Sequence, residues 1–233
     1  FKQWQKGIDL AKGDYIWIAE SDDYCELNFL EQLLPYADKN GLIYSQSYDV
    51  DEKGNAFYDR INYTKEFQNN IWQSSFEVKG VSFVNNYLLV KNVIPNASAV
   101  IFKKELIKEF SFSDALLKMK MCGDWLFWIN ICHQTNVYFL KEHLNYFRNH
   151  KNTSRTHDSI DKKKRRLLEE SILRSNVFKR FNLNNKIKDL QLLKRWFSFF
   201  KFTQILSSDF QTIKLEQQSW LFYYFIYFKT KFK

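Results

Sequence analysis

The sequence predicts an α/β fold, and three observations carry that prediction. Tyr15-Ile16-Trp17-Ile18-Ala19 is a nearly unbroken apolar run of β-formers, which reads as a buried strand of the parallel kind. A helical apolar pattern follows it over 26–39, and a second strand pattern covers Leu42–Val50. Strand, helix and strand in that order define a layered α/β domain.

The elements fall in sequence around that unit. Residues 2–12 read as the end of an amphipathic helix, with Trp4, Ile8, Leu10 and Ala11 apolar and Gly13 at its C-terminal side. In the 26–39 helix, Phe29, Leu30, Leu33 and Leu34 share a face, and Pro35 is placed to kink it. The second strand closes on the turn Asp51-Glu52-Lys53-Gly54-Asn55. Residues 55–78 show no regular pattern and read as an excursion over the domain face. Lys79–Lys91 is predicted helical, Asn96–Lys103 a strand, and Lys104–Glu109 a short helix. Gly123–Gln134 is a helix whose apolar face holds Trp125, Trp128, Ile129 and Cys132. Val137–Leu140 and Leu144–Phe147 are two short extended pieces, and a charged helix runs from Asp158 to Phe181.

Composition bounds the class. The 233 residues are 45% hydrophobic with only 2 prolines and 6 glycines, which suits a packed core and argues against disorder. No run of about 18 uncharged apolar residues exists, so no transmembrane helix is expected. Cys25, Cys122 and Cys132 lack metal-ligand spacing and read as small buried thiols in a reducing cytoplasm. The charge is uneven. Residues 1–150 carry 16 Lys+Arg against 19 Asp+Glu, whereas residues 151–233 carry 19 against 7. The front is therefore an acidic globular domain and the basic character belongs to the tail.

The first candidate site is Glu20-Ser21-Asp22-Asp23, immediately after the first strand. In open α/β sheets, ligands sit at the carboxyl ends of strands. Three acids within four residues repel one another unless a positive charge lies between them. A divalent cation bridging phosphates would supply it, because Mg²⁺ and Mn²⁺ take carboxylate oxygens together with substrate phosphates. Ser and Asp before a helix are also ordinary N-caps.

The stretch Gly7-Ile8-Asp9-Leu10-Ala11-Lys12-Gly13-Asp14-Tyr15-Ile16-Trp17-Ile18-Ala19-Glu20-Ser21-Asp22-Asp23 resembles the central segment of family 2 glycosyltransferases. A second match, Cys122-Gly123-Asp124-Trp125-Leu126-Phe127-Trp128, resembles that family's acidic motif at a helix start. The resemblance covers about residues 1–155. It implies a GT-A fold, Rossmann-like, incomplete at the N-terminus, with about 70–90 residues preceding Phe1 in a complete domain of two or three further βα units. The helical, aromatic and basic extension would then occupy residues 156–233.

By the same resemblance, Asp23 and Asp22 hold the metal, a divalent cation (Mn²⁺ or Mg²⁺). Glu20, Asp22, Asp23, Arg148 and His150 bind the nucleotide-diphosphate-sugar donor, Glu20 standing at the first acidic position. Asp124 is the general base of an inverting transfer, with Gly123 in place of the usual Glu. Ile94–Lys103 resembles the strand that shapes the acceptor side, which brings in Asn96 and Ser98 beside Trp125. Leu144–His150 with Ser154 resembles the family's closing segment, in which Arg148 and His150 meet diphosphate or metal. The acceptor implied is a glycan or lipid-linked sugar in surface polysaccharide synthesis. His133, His143 and His157 read as structural or exposed.

The tail holds Lys162-Lys163-Lys164-Arg165-Arg166 and, over 196–233, fourteen aromatics. Trp and Tyr favour the membrane interface and lysines favour anionic lipid, so one reading rests the tail on the inner membrane face. The other makes it a helical subdomain that packs its aromatics on the catalytic core. Nucleic-acid binding is disfavoured, since the acidic front carries no motif for it. A noncatalytic truncated or pseudoenzyme fragment acting as a membrane-associated binding module, and a nucleotidyltransferase on the same fold, remain alternatives.

Overall fold

The computed structural model describes residues 1–94, 96–107, 112–150, 159–216 and 218–231. It divides into two compact units. The first comprises Phe1–Leu117 and Phe127–Thr153, the second Lys118–Leu126 and Ser154–Lys233. Residues 118–126, which the sequence assigns to the front domain, therefore cluster with the tail.

The first unit is built on a seven-stranded sheet. In chain order its elements are α1 (Lys2–Leu10), β1 (Tyr15–Trp17), β2 (Tyr24–Cys25), α2 (Phe29–Leu33), β3 (Leu42–Val50), β4 (Ala56–Asp59), β5 (Phe76–Lys79), α3 (Gly80–Phe83), β6 (Val100–Lys103), α4 (Asp114–Lys118), α5 (Gly123–Cys132) and β7 (Asn136–Arg148). The strand order is β1-β6-β3-β7-β2, with β4 on β3 and β5 on β7. Among the described residues only β3 and β7 are parallel; they pair from Leu42 with Val137 to Val50 with Arg148. Beyond β7, β3 shares its other edge between β6 at Leu42–Tyr44 and β4 at Tyr48–Val50. Residues 42–45 and 100–102 are buried, as expected for strands covered on both faces.

Several expectations need correction. The 15–19 strand is not parallel: β1 pairs antiparallel with β6, Ile16 opposite Phe102. Its apolar run is not buried on both faces, since Ile16 is buried but Trp17 is 36% exposed. The indole instead donates to the Ser98 carbonyl at 2.8 Å and stacks on Phe29. The 26–39 helix shortens to α2 and a 3₁₀ turn at Leu34–Tyr36 containing Pro35. Phe29 and Leu33 enter the core, while Leu30 and Leu34 face solvent, as does Leu10 of α1.

Residues 55–78 contribute β4 and β5 to the sheet, separated by 3₁₀ turns at Arg60–Thr64 and Ile71–Gln73. The 79–91 helix becomes α3 and a π-helical turn at Val84–Leu88. The strand expected over 96–103 is confined to β6, after a 3₁₀ turn at Ala97–Ala99. A 3₁₀ turn at Lys104–Ile107 stands where the 104–109 helix was expected; Lys108 and Glu109 lie outside the described residues. The two extended pieces at 137–147 are one strand, β7, whose register shifts around Gln46 place the Lys141–Glu142 pair at a bulge. Cys25 is half-buried; Cys122 and Cys132 are buried, and all three are free thiols.

The second unit packs α6 (Ile160–Phe181), α7 (Lys186–Phe197) and α8 (Trp220–Lys231). Ser159 caps α6, accepting the Lys162 N–H, and Asn182 ends it in the left-handed region at φ 56°. Asp158, expected at the helix start, lies outside the described residues. The tail aromatics bury one another: Trp196, Phe197, Phe200, Phe210, Tyr223 and Tyr227 form a core with Leu192, Leu193 and Ile226. The tail is thus a helical subdomain with its own core. Among the described residues, no helix is long and apolar enough to cross a membrane.

Candidate active site

Glu20–Asp23 leaves the end of β1 as a tight turn, closed by the Asp23 N–H donating to the Glu20 carbonyl at 3.2 Å. Ser98, 2% exposed, straddles that turn. Its hydroxyl accepts the Glu20 N–H at 3.0 Å and donates to Asp23 Oδ2 at 2.7 Å. The other carboxylate oxygen, Asp23 Oδ1, accepts the Arg148 backbone N–H at 2.9 Å. Burial pushes the Asp23 carboxyl above its ordinary value. The bonds from Ser98, Arg148 and Asn96 pull it back, and the neighbouring Asp22 charge adds to the rise.

Beneath the turn lies a buried polar network. Asn145, at 0% exposure on β7, accepts through Oδ1 from Asn96 Nδ2 at 2.8 Å and from the Ser47 hydroxyl at 3.0 Å. Its own Nδ2 donates to the Tyr24 carbonyl at 3.4 Å. The Asn145 amide thus joins β7 to β3, to β2 and to Asn96 beneath the acidic turn, as a buried amide has to be satisfied.

Asp22 and His150 meet at 3.1 Å, Asp22 Oδ2 to Nε2, with side chains 46% and 41% exposed. Arg148 ties the same region together. Its Nε donates to the Asp22 carbonyl at 2.8 Å, and Nη1 donates to the carbonyls of Asp51 and Glu52 at 3.1 and 2.8 Å. The guanidinium lies over Tyr24, which stacks on Tyr146 with centroids 4.5 Å apart. Glu20 accepts the Trp4 indole N–H at 3.0 Å. Glu20, Asp22, Asp23, Arg148, His150, Asn96 and Ser98 are thus brought together in the first unit. Pro95 and Ser154, of the two family-like segments, and His157 lie outside the described residues. His143 is structural, bonded to Asp59 and stacked on Tyr48.

Asp124 and Trp125 lie in the second unit, at the start of α5. Asp124 is half-buried. Trp125 is 2% exposed, with the guanidinium groups of Arg166 and Arg174 at 5.3 and 5.9 Å from its ring. Glu169 of α6, 7% exposed, binds the approach to this helix. Its carboxylate accepts the N–H groups of Lys120, Met121 and Cys122 at 2.7–3.1 Å. Sequence reading passes over Glu169 because it sits in a charge-rich helix; nothing local distinguishes it from a solvated acid.

Among the described residues no group of three His, Cys, Asp or Glu is placed to hold a metal. The chemistry of the turn nevertheless fits a divalent cation. Burial and, to a lesser degree, the Asp22 charge raise the proton affinity of Asp23, and such a cation needs only one or two carboxylates when phosphate oxygens and water complete its shell.

A mixed sheet with carboxylates on the turn after a strand end defines a GT-A domain. Two crystal structures of S. aureus TarS 1-349 share this fold. One has a TM-score of 0.53 at 16% identity, over 98% of this chain and 59% of that one. The other, in complex with UDP-GlcNAc, has a TM-score of 0.55 at 16% identity, over 90% of this chain and 60% of that one. The chain thus spans about three fifths of the length of each. Residues 1–109 match the model of glycosyl transferase family 2. No curated protein matches.

Proposed function

We propose that the protein transfers a sugar from a nucleotide-diphosphate donor to an acceptor hydroxyl, with inversion and with a divalent cation. The observation that carries this reading is the Asp22–Asp23 turn, fixed by Ser98 and the Arg148 backbone inside a family 2 segment. Asp22 and Asp23 would hold the cation, which supplies charge neutralisation for the departing diphosphate. Asn96 and Ser98 position Asp23 from below. Arg148 keeps its Nη2 donors for phosphate, since Nε and Nη1 are engaged by backbone carbonyls. His150 and Glu20 complete the donor side.

Asp124 takes the proton of the acceptor hydroxyl as that oxygen bonds to the anomeric carbon. The bond from that carbon to the diphosphate oxygen breaks on the opposite face, and the electron pair leaves with the nucleoside diphosphate. The acceptor is a glycan or lipid-linked sugar, and the setting is surface polysaccharide synthesis on the cytoplasmic side.

UDP-GlcNAc, the ligand in one TarS structure, is the first donor to test. Titration of a nucleotide-sugar panel with and without Mn²⁺ should give binding that is lost in Asp23→Asn and without metal. Asp124→Asn should keep donor binding and lower transfer at least 100-fold, the scale of removing a general base. Donor binding without transfer in the wild-type protein would instead favour a noncatalytic binding module, the reading that Gly123 supports.

Contact with a membrane surface is the second part of the proposal. On α8, Leu221 is 81% and Phe225 58% exposed, and Phe202 nearby is 62% exposed beside Phe228. Lys229 and Lys231 close the same helix. An apolar stripe flanked by lysines suits an anionic interface. Vesicles containing phosphatidylglycerol should float the wild-type protein and not Leu221→Glu/Phe225→Glu; equal behaviour of the two would sink the idea.

A further inference from the structure

Asp124 stands on residues 118–126, which belong to the second unit together with α6. The Leu126 N–H donates to the Cys122 carbonyl at 3.1 Å and closes the helical turn in which Asp124 lies. Glu169 holds the backbone leading into that turn, but another side chain of α6 grips the turn itself. Arg166 Nη1 donates to Cys122 Sγ, and the Cys122 thiol donates to the Arg166 carbonyl at 3.7 Å. The same guanidinium lies 5.3 Å from the centre of the Trp125 ring. Residues 122 and 125 stand on either side of Asp124 in the chain. We propose that Arg166 is a positioning residue, which fixes the direction of the Asp124 carboxylate through Cys122 and Trp125. The proposal rests on the transferase reading above, in which Asp124 is the base.

A grip fixes something only if the gripping group is itself fixed, and Arg166 ends a row of alternating charge. Asp189 of α7 accepts from Arg174 Nη1 at 3.2 Å. Arg174 donates to Glu170 Oε1 through Nη2 at 2.7 Å and Nε at 3.0 Å. Glu170 Oε2 in turn lies 3.7 Å from Arg166 Nη1. Residues 166, 170 and 174 recur at every fourth position and so share one stripe of α6. Arg174 approaches the Trp125 ring as well, at 5.9 Å. Glu170 and Arg174 are buried, and desolvation offsets much of the attraction within a buried ion row. What the row contributes above all is geometry, because a planar guanidinium engaged on one edge presents the other at a set angle.

Cys122 serves here as a handle and not as a nucleophile. Burial pushes its thiol far above the ordinary value even though the Arg166 charge pulls it down, so it stays protonated. Trp125, buried and flanked by two cations, is the second handle. With both held, the Asp124 side chain between them has its backbone direction set from α6 before any substrate arrives.

The test compares the intact wild-type protein with Arg166→Met, Arg166→Lys and, as a control, Arg165→Met, an exposed neighbour. In Arg166→Met, Glu170 keeps its two bonds from Arg174, so the variant should fold, which circular dichroism and thermal melting check. Amide exchange at Leu126 is followed by NMR. Release of nucleoside diphosphate from UDP-, GDP- and dTDP-sugars with Mn²⁺, water serving as acceptor, gives kcat and KM. Arg166→Met should raise exchange at Leu126 about tenfold or more and lower kcat about tenfold or more, with the donor KM unchanged. Arg166→Lys, which keeps a cation for Glu170 and Trp125, should fall between Met and wild type, and Arg165→Met should match wild type. Unchanged exchange at Leu126, a wild-type kcat in Arg166→Met, or a raised KM in place of a lowered kcat would each overturn the proposal and leave the transferase reading standing. A collapsed melting temperature in both Arg166 variants would overturn it too, by making Arg166 a general support of the unit. A wild-type protein that releases no diphosphate from any donor would overturn the transferase reading and the catalytic role given to Arg166, while exchange at Leu126 would still decide whether Arg166 holds the turn.

Discussion

Ser98→Ala tests the architecture of the acidic turn most directly. It removes the 2.7 Å donor to Asp23 Oδ2 and the 3.0 Å acceptor of the Glu20 N–H with a change of one oxygen atom. A hydrogen bond to a charged group contributes ~1.5–3 kcal/mol and a neutral one ~1 kcal/mol, so the loss should be about 2–4 kcal/mol at neutral pH. The loss should also depend on pH, and the sign follows from the raised Asp23 carboxyl. Because the folded state binds this proton more tightly than the unfolded chain, the contribution of Asp23 to stability falls as pH rises from 3.8 through its folded value. The Ser98 bond lowers that folded value. Without it the folded value moves further up, and the fall extends to higher pH. The gap between wild type and Ser98→Ala should therefore be smallest below the unfolded value, where Asp23 is protonated, and should widen up to neutrality. Urea unfolding from pH 3.5 to 8 reads this gap. A gap independent of pH, or largest in acid, would refute the assignment of Ser98 as the partner that keeps Asp23 ionised.

Two further substitutions test the supports around the two units. Glu169→Ala removes the acceptor of three successive backbone N–H groups before α5. It should lower the stability of the second unit by about 3–5 kcal/mol and reduce transfer with it, whereas Glu169→Gln, which keeps an acceptor oxygen, should recover most of both. Thermal unfolding and product formation measured together would check this. Gly80→Ala should be among the most damaging single changes in the first unit. An added Cβ would lie 1.7 Å from the Cys132 carbonyl oxygen and 2.1 Å from that of Thr135, both backbone atoms that cannot turn aside. A cost above ~4 kcal/mol is expected, seen as insoluble expression or a collapsed melting temperature; near-wild-type melting would refute the close approach of the α3 entry to those two carbonyls.

The elements that were legible are those whose periodicity is enforced by burial. Leu42–Val50 is read to the residue because a central strand must be apolar from end to end or supply partners for what is not. Helix α5 is legible as a long apolar run, and every residue from Trp125 to Cys132 is buried, so it is enclosed on all sides rather than along one face. Failures occur where tertiary contacts replaced local pattern. Residues 55–78 look irregular because β4 and β5 are edge strands of four residues each, exposed on one side and recruited by β3 and β7 rather than by their own propensity. The break at Lys141–His143 is visible as polarity, but a bulge and a strand end share that signature, so the sequence pattern divides one strand into two.

At the site, the acids were legible because like charges crowded after a strand are costly enough to need a reason. Their supports were not. Asn145 sits in a stretch that reads as an ordinary extended segment, and only the β3–β7 register sets it against Ser47 and Asn96. A signal did exist on the partner strand. Ser45, Gln46 and Ser47 interrupt the apolar run of a central strand, and of the three Ser47 bonds across the sheet, to Asn145. Arg148 shows the opposite case: its type and position suggested a charge for the diphosphate, yet Nε and Nη1 hold backbone carbonyls of the acidic turn and of the Asp51–Glu52 turn. An arginine so fixed presents its remaining donors at one angle. That is what recognition of a diphosphate demands, so its bonds to the chain support the role proposed for it rather than compete with it.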